Sequence, residues 1–512
     1  MEQLTHSDNT RRIAKNTLLL YMRMLFSVIV SLVTSRLILQ ALGVENYGIY
    51  NVVGGVVTLF AFLNAAMASS TQRFLTFELG RQNWERLRMV FSTSIWIHLF
   101  ISLCLLFLAE TVGLWLFYNK LIIPESRMEA AMWVYQLSVC SCVVTIMSVP
   151  YNASIIAHER MNVFAYISML DITLRCVVVL CLYLFPYDRL VVYACLLLLV
   201  AVLIRVIYWH YCRSYLPETQ LVYDWDKPLF HEMLHFAGWN LFGNMAYVGY
   251  TQGVNVLLNI FFGPAVNAAR AVAVQLQGAI NNFCNSFQTA MNPQITKSYA
   301  TKEWEYMFSL LYGSSKYSFL LLLFLVMPIW IEAKQILLLW LKIVPDHTLV
   351  FLRLILLVSM VDVMANPLIT IAQATGHIRG YQLIVGGILL LIVPVSYLTL
   401  KLGGPVESVF VVHLIIVIFA QFARLWMVRK LVGLSLRLYW HRVVFPLLRV
   451  AVVALFIPLL IYMSMEETLL RLSMVVLFSW SSVLIVGYLL GLQAQEQTFL
   501  REKLRAFKQK MR

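Results

Sequence analysis

The chain has 512 residues, of which 61% are hydrophobic and only 12% are Asp, Glu, Lys or Arg. That balance excludes an ordinary soluble domain and predicts an all-α polytopic membrane protein. In a soluble chain the net charge of +14 would suggest nucleic acid; here it marks cytoplasmic loops, and no nucleic-acid partner is expected.

Apolar runs separated by polar breaks predict about 14 transmembrane helices. Met1–Asn9 is polar and the first apolar run is a full span, so no cleavable signal is expected. In that first span, at 12–40, Asn16, Arg23, Ser27 and Thr34 share a face, with Arg23 well inside the bilayer and Arg36 on another face. The second, at 46–72, carries Asn51, Thr58, Asn64 and Gln72, which form no single stripe. Spans at 88–117, 131–157, 162–185 and 189–212 follow. They hold His98, for which no partner is evident, and Asp171 with Arg175 four residues on. An internal ion pair is the first reading of Asp171 and an ion-coupling role the second.

Arg213–His231, with Pro217, Asp224, Asp226 and Pro228, reads as a cytoplasmic linker. The seventh span, at 233–262, places Asn240, Asn244, Thr251 and Asn255 on one side, and its Gly249 and Gly253 have the spacing of close helix packing. The eighth, at 266–296, holds the most distinctive pattern. Arg270, Gln277, Asn281, Gln288 and Asn292 recur at intervals that keep them on one side of a helix over a rise of about 33 Å. Asn282 and Asn285 widen the stripe. Amides inside a bilayer turn toward protein or water, so the stripe is either interhelical glue or one wall of a hydrated cavity; the arginine favours the cavity.

Spans at 306–341, 348–374, 380–400 and 406–430 complete a second set of six. Among them Asp362 has Asn366 one turn on and no basic residue within a turn, which makes it a proton- or cation-coupling candidate. His413 and Arg424 share a face, with a packed histidine as the leading reading. Two further spans, at 440–463 and 470–492, precede a basic tail.

Lys and Arg cluster on the side of the amino-terminal tail, which predicts that both termini are cytoplasmic. The chain also repeats weakly. A shift of 220 aligns Leu42-Gly43 with Phe262-Gly263, Trp84 with Trp304 and Ser94 with Ser314; a shift of 217 aligns Pro150 with Pro367 and Ala157 with Ala374. The expected architecture is two pseudo-symmetric six-helix lobes (1–215 and 216–430) related by an axis along the membrane normal, then two C-terminal helices and the basic tail (431–512). The copies are chemically unequal, since the first lacks the amide stripe.

Cys104, Cys140, Cys142, Cys176, Cys181, Cys195, Cys212 and Cys284 have neither metal-ligand nor disulfide spacing and read as small packing residues. No phosphate loop, dinucleotide glycine pattern or metal motif occurs, and the loops between predicted spans are short. No cofactor or metal is expected, no catalytic residue is assigned, and an enzyme is the weaker class.

Arg12-Ile13-Ala14-Lys15-Asn16-Thr17, the turn Leu42-Gly43-Val44-Glu45-Asn46-Tyr47-Gly48-Ile49-Tyr50 and the doubled six-span plan resemble polysaccharide exporters of the Wzx type. These are MATE-like flippases of the multidrug/oligosaccharidyl-lipid/polysaccharide (MOP) exporter superfamily. The resemblance implies a multi-pass protein of the bacterial inner membrane that moves an undecaprenyl-pyrophosphate-linked oligosaccharide from the cytoplasmic to the periplasmic leaflet, for O-antigen, lipopolysaccharide or another surface polysaccharide. It also implies Arg23 and Arg270 as cavity arginines. The substrate-binding candidates are therefore Arg23, Arg270, Gln277, Asn281, Gln288, Asn292, Asn240 and Asn244, with Asp362 and Asp171 as ion-coupling candidates. Expected partners are the lipid-linked oligosaccharide, the bilayer, a coupling proton or sodium ion, and a polysaccharide polymerase with glycosyltransferases. The alternatives are a cation-coupled multidrug exporter, a membrane enzyme of polysaccharide assembly and a non-transporting scaffold.

Overall fold

The computed structural model describes residues 2–58, 61–119, 123–184, 187–222, 226–341, 344–493 and 496–498, and every regular element among them is helical. Some side chains inside the first helices, including those of Arg12, Arg36, Glu45, Asn51, Thr58 and Asn64, lie outside the described set, as do Asp224 of the expected linker and the tail from 499.

Two compact units account for the chain. The first holds residues up to Met245 together with Asn292–Glu303; the second holds Ala246–Met291 and the described residues from Trp304 on. In the first unit run α1 (Glu2–Thr58), α2 (Ala61–Arg81), α3 (Trp84–Leu108) and α4 (Leu114–Asn119), followed by α5 (Met128–Ile146), α6 (Val149–Ala157), α7 (Met161–Cys181) and α8 (Arg189–Tyr215). α9 (Lys227–Phe262) and α10 (Pro264–Ala300) each contribute residues to both units. The second unit continues with α11 (Trp304–Ile331), α12 (Ala333–Leu341), α13 (Thr348–Asp362), α14 (Ala365–Ala374), α15 (Arg379–Leu390) and α16 (Ile392–Lys401). It ends with α17 (Ser408–Val432), α18 (Leu436–Tyr439), α19 (Phe445–Ser464) and α20 (Leu469–Val486).

The weak sequence repeat has backbone counterparts. Gly43 interrupts α1 at φ 75°, and Gly263, 220 residues on, separates α9 from α10 at φ 79°. Both sit in the left-handed region, where a side chain is strained, so a reversal between packed helices falls on glycine. Gln82 and Lys302, also 220 apart, have φ 55° and 62°, just before the starts of α3 and α11. At the shift of 217, Glu159 (φ 57°) matches Gly376 (φ 79°), and the α5–α6 joint matches the α13–α14 joint. Pro150 and Pro367 cause those joints: each lacks the N–H that would bond four residues back.

Ten helical stretches are long and apolar enough to cross a membrane, as counted among the described residues. They include α3–α4, α5–α6, α7, α8 and, in the second unit, α11 and α13–α20. The expectation of fourteen rests for the rest on α1, α2, α9 and α10. In α9 and α10 it is the amides that dilute the apolar content.

The first unit has an apolar core of Ile49, Val53, Leu105, Phe117, Val134, Tyr135 and Ile146 with their neighbours. A π-helical turn, Ala109–Gly113, opens the ladder between α3 and α4, and Tyr135 donates its hydroxyl hydrogen to the Ala109 carbonyl there at 2.8 Å. In the second unit the last two long helices pack against α11. At the α11–α12 joint the buried Glu332 accepts from Arg471 Nε (2.8 Å) and Nη2 (3.0 Å), and deep in α11 Lys316 Nζ reaches Glu496 at 2.8 Å.

Candidate functional site

The site is built on the turn at Gly263, which folds α10 back along α9. Arg270, two turns into α10, points at α9: its Nη1 donates to Asn255 Oδ1 and its Nη2 to the Thr251 carbonyl, both at 3.0 Å. Each is a charge-assisted bond, and together they hold the guanidinium plane. Gly249 and Gly253 of α9 serve packing. A Cβ on Gly253 would lie 2.6 Å from Val393 Cγ2 of α16, so no larger residue fits without displacing it.

Along the α10 stripe the amides reach α13. Gln277 Nε2 donates to Ser359 Oγ at 2.7 Å, and Asn281 Nδ2 approaches the same hydroxyl at 3.5 Å. Gln288 is 1% exposed and donates to Ser318 Oγ (3.1 Å) and to the Val363 carbonyl (2.7 Å). Pro367 has no N–H for that carbonyl, so Gln288 satisfies a group the helix break leaves open.

These residues surround a cavity of about 520 Å³ that lies wholly in the second unit. Arg270, Gln277, Asn281, Asn285 and Gln288 of α10 form one wall, Ser359, Asp362 and Asn366 another, and His413 and Arg424 of α17 a third. The volume falls in the range of small-molecule pockets. Its charged lining is two guanidiniums against one carboxylate, and the His413 ring lies 5.3 Å from that of Tyr250.

One expectation needs correction. Asp362 is isolated only along its own helix; Arg424 Nη1, from α17, lies 3.5 Å from its Oδ1, and the same Nη1 is 3.4 Å from Gln421 Oε1. A half-buried carboxylate beside a buried guanidinium satisfies the demand that intramembrane charges be paired. The two residues are far apart in sequence, but an unpaired acid and an unpaired base in apolar spans were a signal that each needs the other.

The other candidates lie elsewhere. Asn240 and Asn244 belong to the part of α9 in the first unit, the former buried and the latter half-buried; neither lines the cavity. Arg23 packs its guanidinium 4.9 Å over the Phe164 ring, and Asn292 sits where α10 enters the first unit. Asp171 pairs with Arg175 at 3.0 Å along α7. His98 is buried, with Nδ1 2.7 Å from the Ser94 carbonyl of its own helix.

Sequence reasoning also missed a buried cluster in the first unit. Glu159, in the turn between α6 and α7, accepts from Gln294 and from Lys297 Nζ (2.7 Å), and its carbonyl accepts from Asn16 Nδ2 (3.3 Å). A lone acid beside Arg160 in a basic turn gave no hint of it.

Residues 13–299 match the family described as polysaccharide biosynthesis protein. The chain belongs to that family. No curated protein matches it. Among solved structures, a MATE transporter in the bent conformation superposes with a TM-score of 0.73 at 14% identity, covering 84% of this chain and 97% of that one. An outward-facing multidrug resistance MATE family transporter of the MOP superfamily gives 0.67 at 14%, covering 82% and 96%. A MOP superfamily transporter from Pyrococcus furiosus, described as having a binding pocket of reverse polarity, gives 0.65 at 15%, with the same coverage. This member of the polysaccharide biosynthesis family is thus a multi-pass membrane protein with the fold of those MATE and MOP structures.

Proposed function

We propose that the protein is an inner-membrane flippase that moves an undecaprenyl-pyrophosphate-linked oligosaccharide from the cytoplasmic to the periplasmic leaflet, with fourteen spans in two six-helix lobes plus two, and both termini cytoplasmic. Family membership supports a role in polysaccharide assembly, and the fold supports transport. The observation that carries the reading is the polarity of the second-unit cavity, where two arginines face one aspartate among a row of amides. A glycan and its pyrophosphate cannot cross hydrocarbon unaided, whereas a polyprenyl tail can stay in lipid. Arginine suits the phosphates through paired N–H donors, and Asn and Gln replace water around sugar hydroxyls. The cavity takes the charged end or a single sugar with its water, not a whole oligosaccharide. A cation exporter would need acid in excess, and the one cavity carboxylate is already matched by Arg424.

In this reading Arg270, Gln277 and Asn281 contact cargo, Gln288 ties α10 to the α13–α14 joint, and Asp362 couples ion movement through its pair with Arg424. Purified protein in liposomes carrying a lipid-linked oligosaccharide tests it. Cargo should become accessible in the opposite leaflet at a rate that depends on protein, and no protein-dependent movement would refute transport of this cargo.

A further inference from the structure

A second cavity, of about 680 Å³, lies in the first unit where α5 and α8 begin. Its rim carries Arg127, Glu129 and Asp188; its wall is Trp133, Val192 and Leu196. The rim charges are not equivalent. Arg127 Nη1 donates to Asp188 Oδ2 at 2.6 Å and its Nε to Asn46 Oδ1 at 3.1 Å, while Asp188 also accepts from the Leu190 N–H that starts α8. Arg127 and Asp188 therefore neutralise one another. Glu129 is left exposed, with no ion pair among the described residues.

One turn beyond Glu129 on the same face of α5 stands Trp133, 56% exposed. A carboxylate and an indole one turn apart form a receptor for an ammonium group, by ion pairing and by attraction to the ring face. Below them the wall is apolar for at least the turn from Val192 to Leu196, about 6 Å. Exposed Trp115, Tyr118 and Tyr187 mark the same end of the helices as the level of the lipid headgroups. An ammonium receptor at the polar rim with an apolar wall below it matches the two ends of such a lipid, a cationic head and an acyl chain.

We infer that this groove binds a phospholipid with a primary-ammonium headgroup, the ammonium between Glu129 and Trp133 and an acyl chain along Val192 and Leu196. The site has a link to the fold: Arg127, at the same rim, holds Asn46, three residues past the Gly43 break in α1. The lipid thus sits against the network that fixes the second half of α1. The inference does not depend on the cargo reading.

The test uses the full-length protein in micelles doped with equal amounts of dioleoyl phosphatidylethanolamine, phosphatidylcholine and phosphatidylglycerol, with retained lipids counted by native mass spectrometry. The wild type should keep phosphatidylethanolamine about fivefold to tenfold over phosphatidylglycerol, and over phosphatidylcholine, whose trimethylated nitrogen donates no hydrogen bond. Glu129→Gln should abolish the preference, while Glu125→Gln, outside the groove, should keep it. Equal retention of the three lipids by the wild type overturns the proposal without any variant. So does a preference that survives Glu129→Gln or is lost equally in Glu125→Gln.

Discussion

The two units share a backbone plan and differ in what they put on it. Displaced by 220 residues, Arg270 stands where the first copy has Tyr50, Asn281 where it has Ala61 and Gln288 where it has Ala68; displaced by 217, Ser359 matches Cys142 and Asp362 matches Thr145. Tyr50 packs edge-on to Tyr193 with ring centroids 5.0 Å apart, beside the core of Ile49, Val53 and Tyr135. Arg270 instead opens onto a cavity. The same breaks and reversals thus frame an apolar core beside Tyr50 in one copy and a polar chamber beside Arg270 in the other. Backbone geometry is set by a few glycines and prolines, and the remaining positions are free to diverge in chemistry.

The largest expected effect concerns stability. Glu332 sits at the α11–α12 joint, where the first unit has Val112 in its π turn, and among the described residues it is the carboxylate that accepts from the buried Arg471. Removing one member of a buried pair strands the other charge, so Glu332→Gln should cost about 3–5 kcal/mol, read as a lowered unfolding midpoint in detergent. Val112→Ala should cost far less, since its side chain is half exposed.

Arg270→Ala comes next. It removes two charge-assisted bonds and a cavity charge, and transport should fall about 10- to 100-fold with membrane abundance near normal. Arg270→Lys should recover part of the loss, while Tyr50→Phe in the first copy should transport like wild type. Equal losses in Arg270→Ala and Tyr50→Phe would erase the distinction between the units.

The turns and joints were legible because Gly43, Gly263, Pro150 and Pro367 act on the backbone itself, whatever surrounds them. The family resemblance was legible from the first span and its turn. Side-chain partners were not. Nothing local joins Asp362 to Arg424, and periodicity cannot separate a wall residue left half-exposed in the cavity, such as Asn281, from one buried in the wall that ties helices together, such as Gln288. Both are amides on one face, and only the placement of Ser318 and the Val363 carbonyl distinguishes them.

Asp362→Asn should have a smaller effect than Arg270→Ala: cargo binding is kept, cycling slows roughly tenfold, and the response of transport to imposed proton or sodium gradients is lost. Identical responses in wild type and variant would make the Asp362–Arg424 pair structural. The smallest effect belongs to the first unit. Burial opposes the charge on Asp188, but the bonds from Arg127 and the Leu190 N–H outweigh it and hold the carboxyl below its usual value. A lowered folded-state value means the stabilisation is present above the unfolded-chain value, near pH 4, and is lost as pH falls through the folded one. Asp188→Asn should therefore destabilise the protein at pH 7 by less than about 1 kcal/mol for so exposed a pair, read as a slightly lowered unfolding midpoint. The difference should shrink as pH falls below about 4 and vanish only once the lower folded-state value is passed.

The central claim is that cargo meets the second-unit cavity and not its first-unit counterpart. Single cysteines at Asn281 and at Ala61, in a background without native cysteines, can be challenged with a small polar thiol reagent, with and without lipid-linked oligosaccharide. Asn281→Cys should react and be shielded by cargo, while Ala61→Cys should show no cargo-dependent shielding. An unreactive Asn281→Cys, or equal shielding at both positions, would contradict the account.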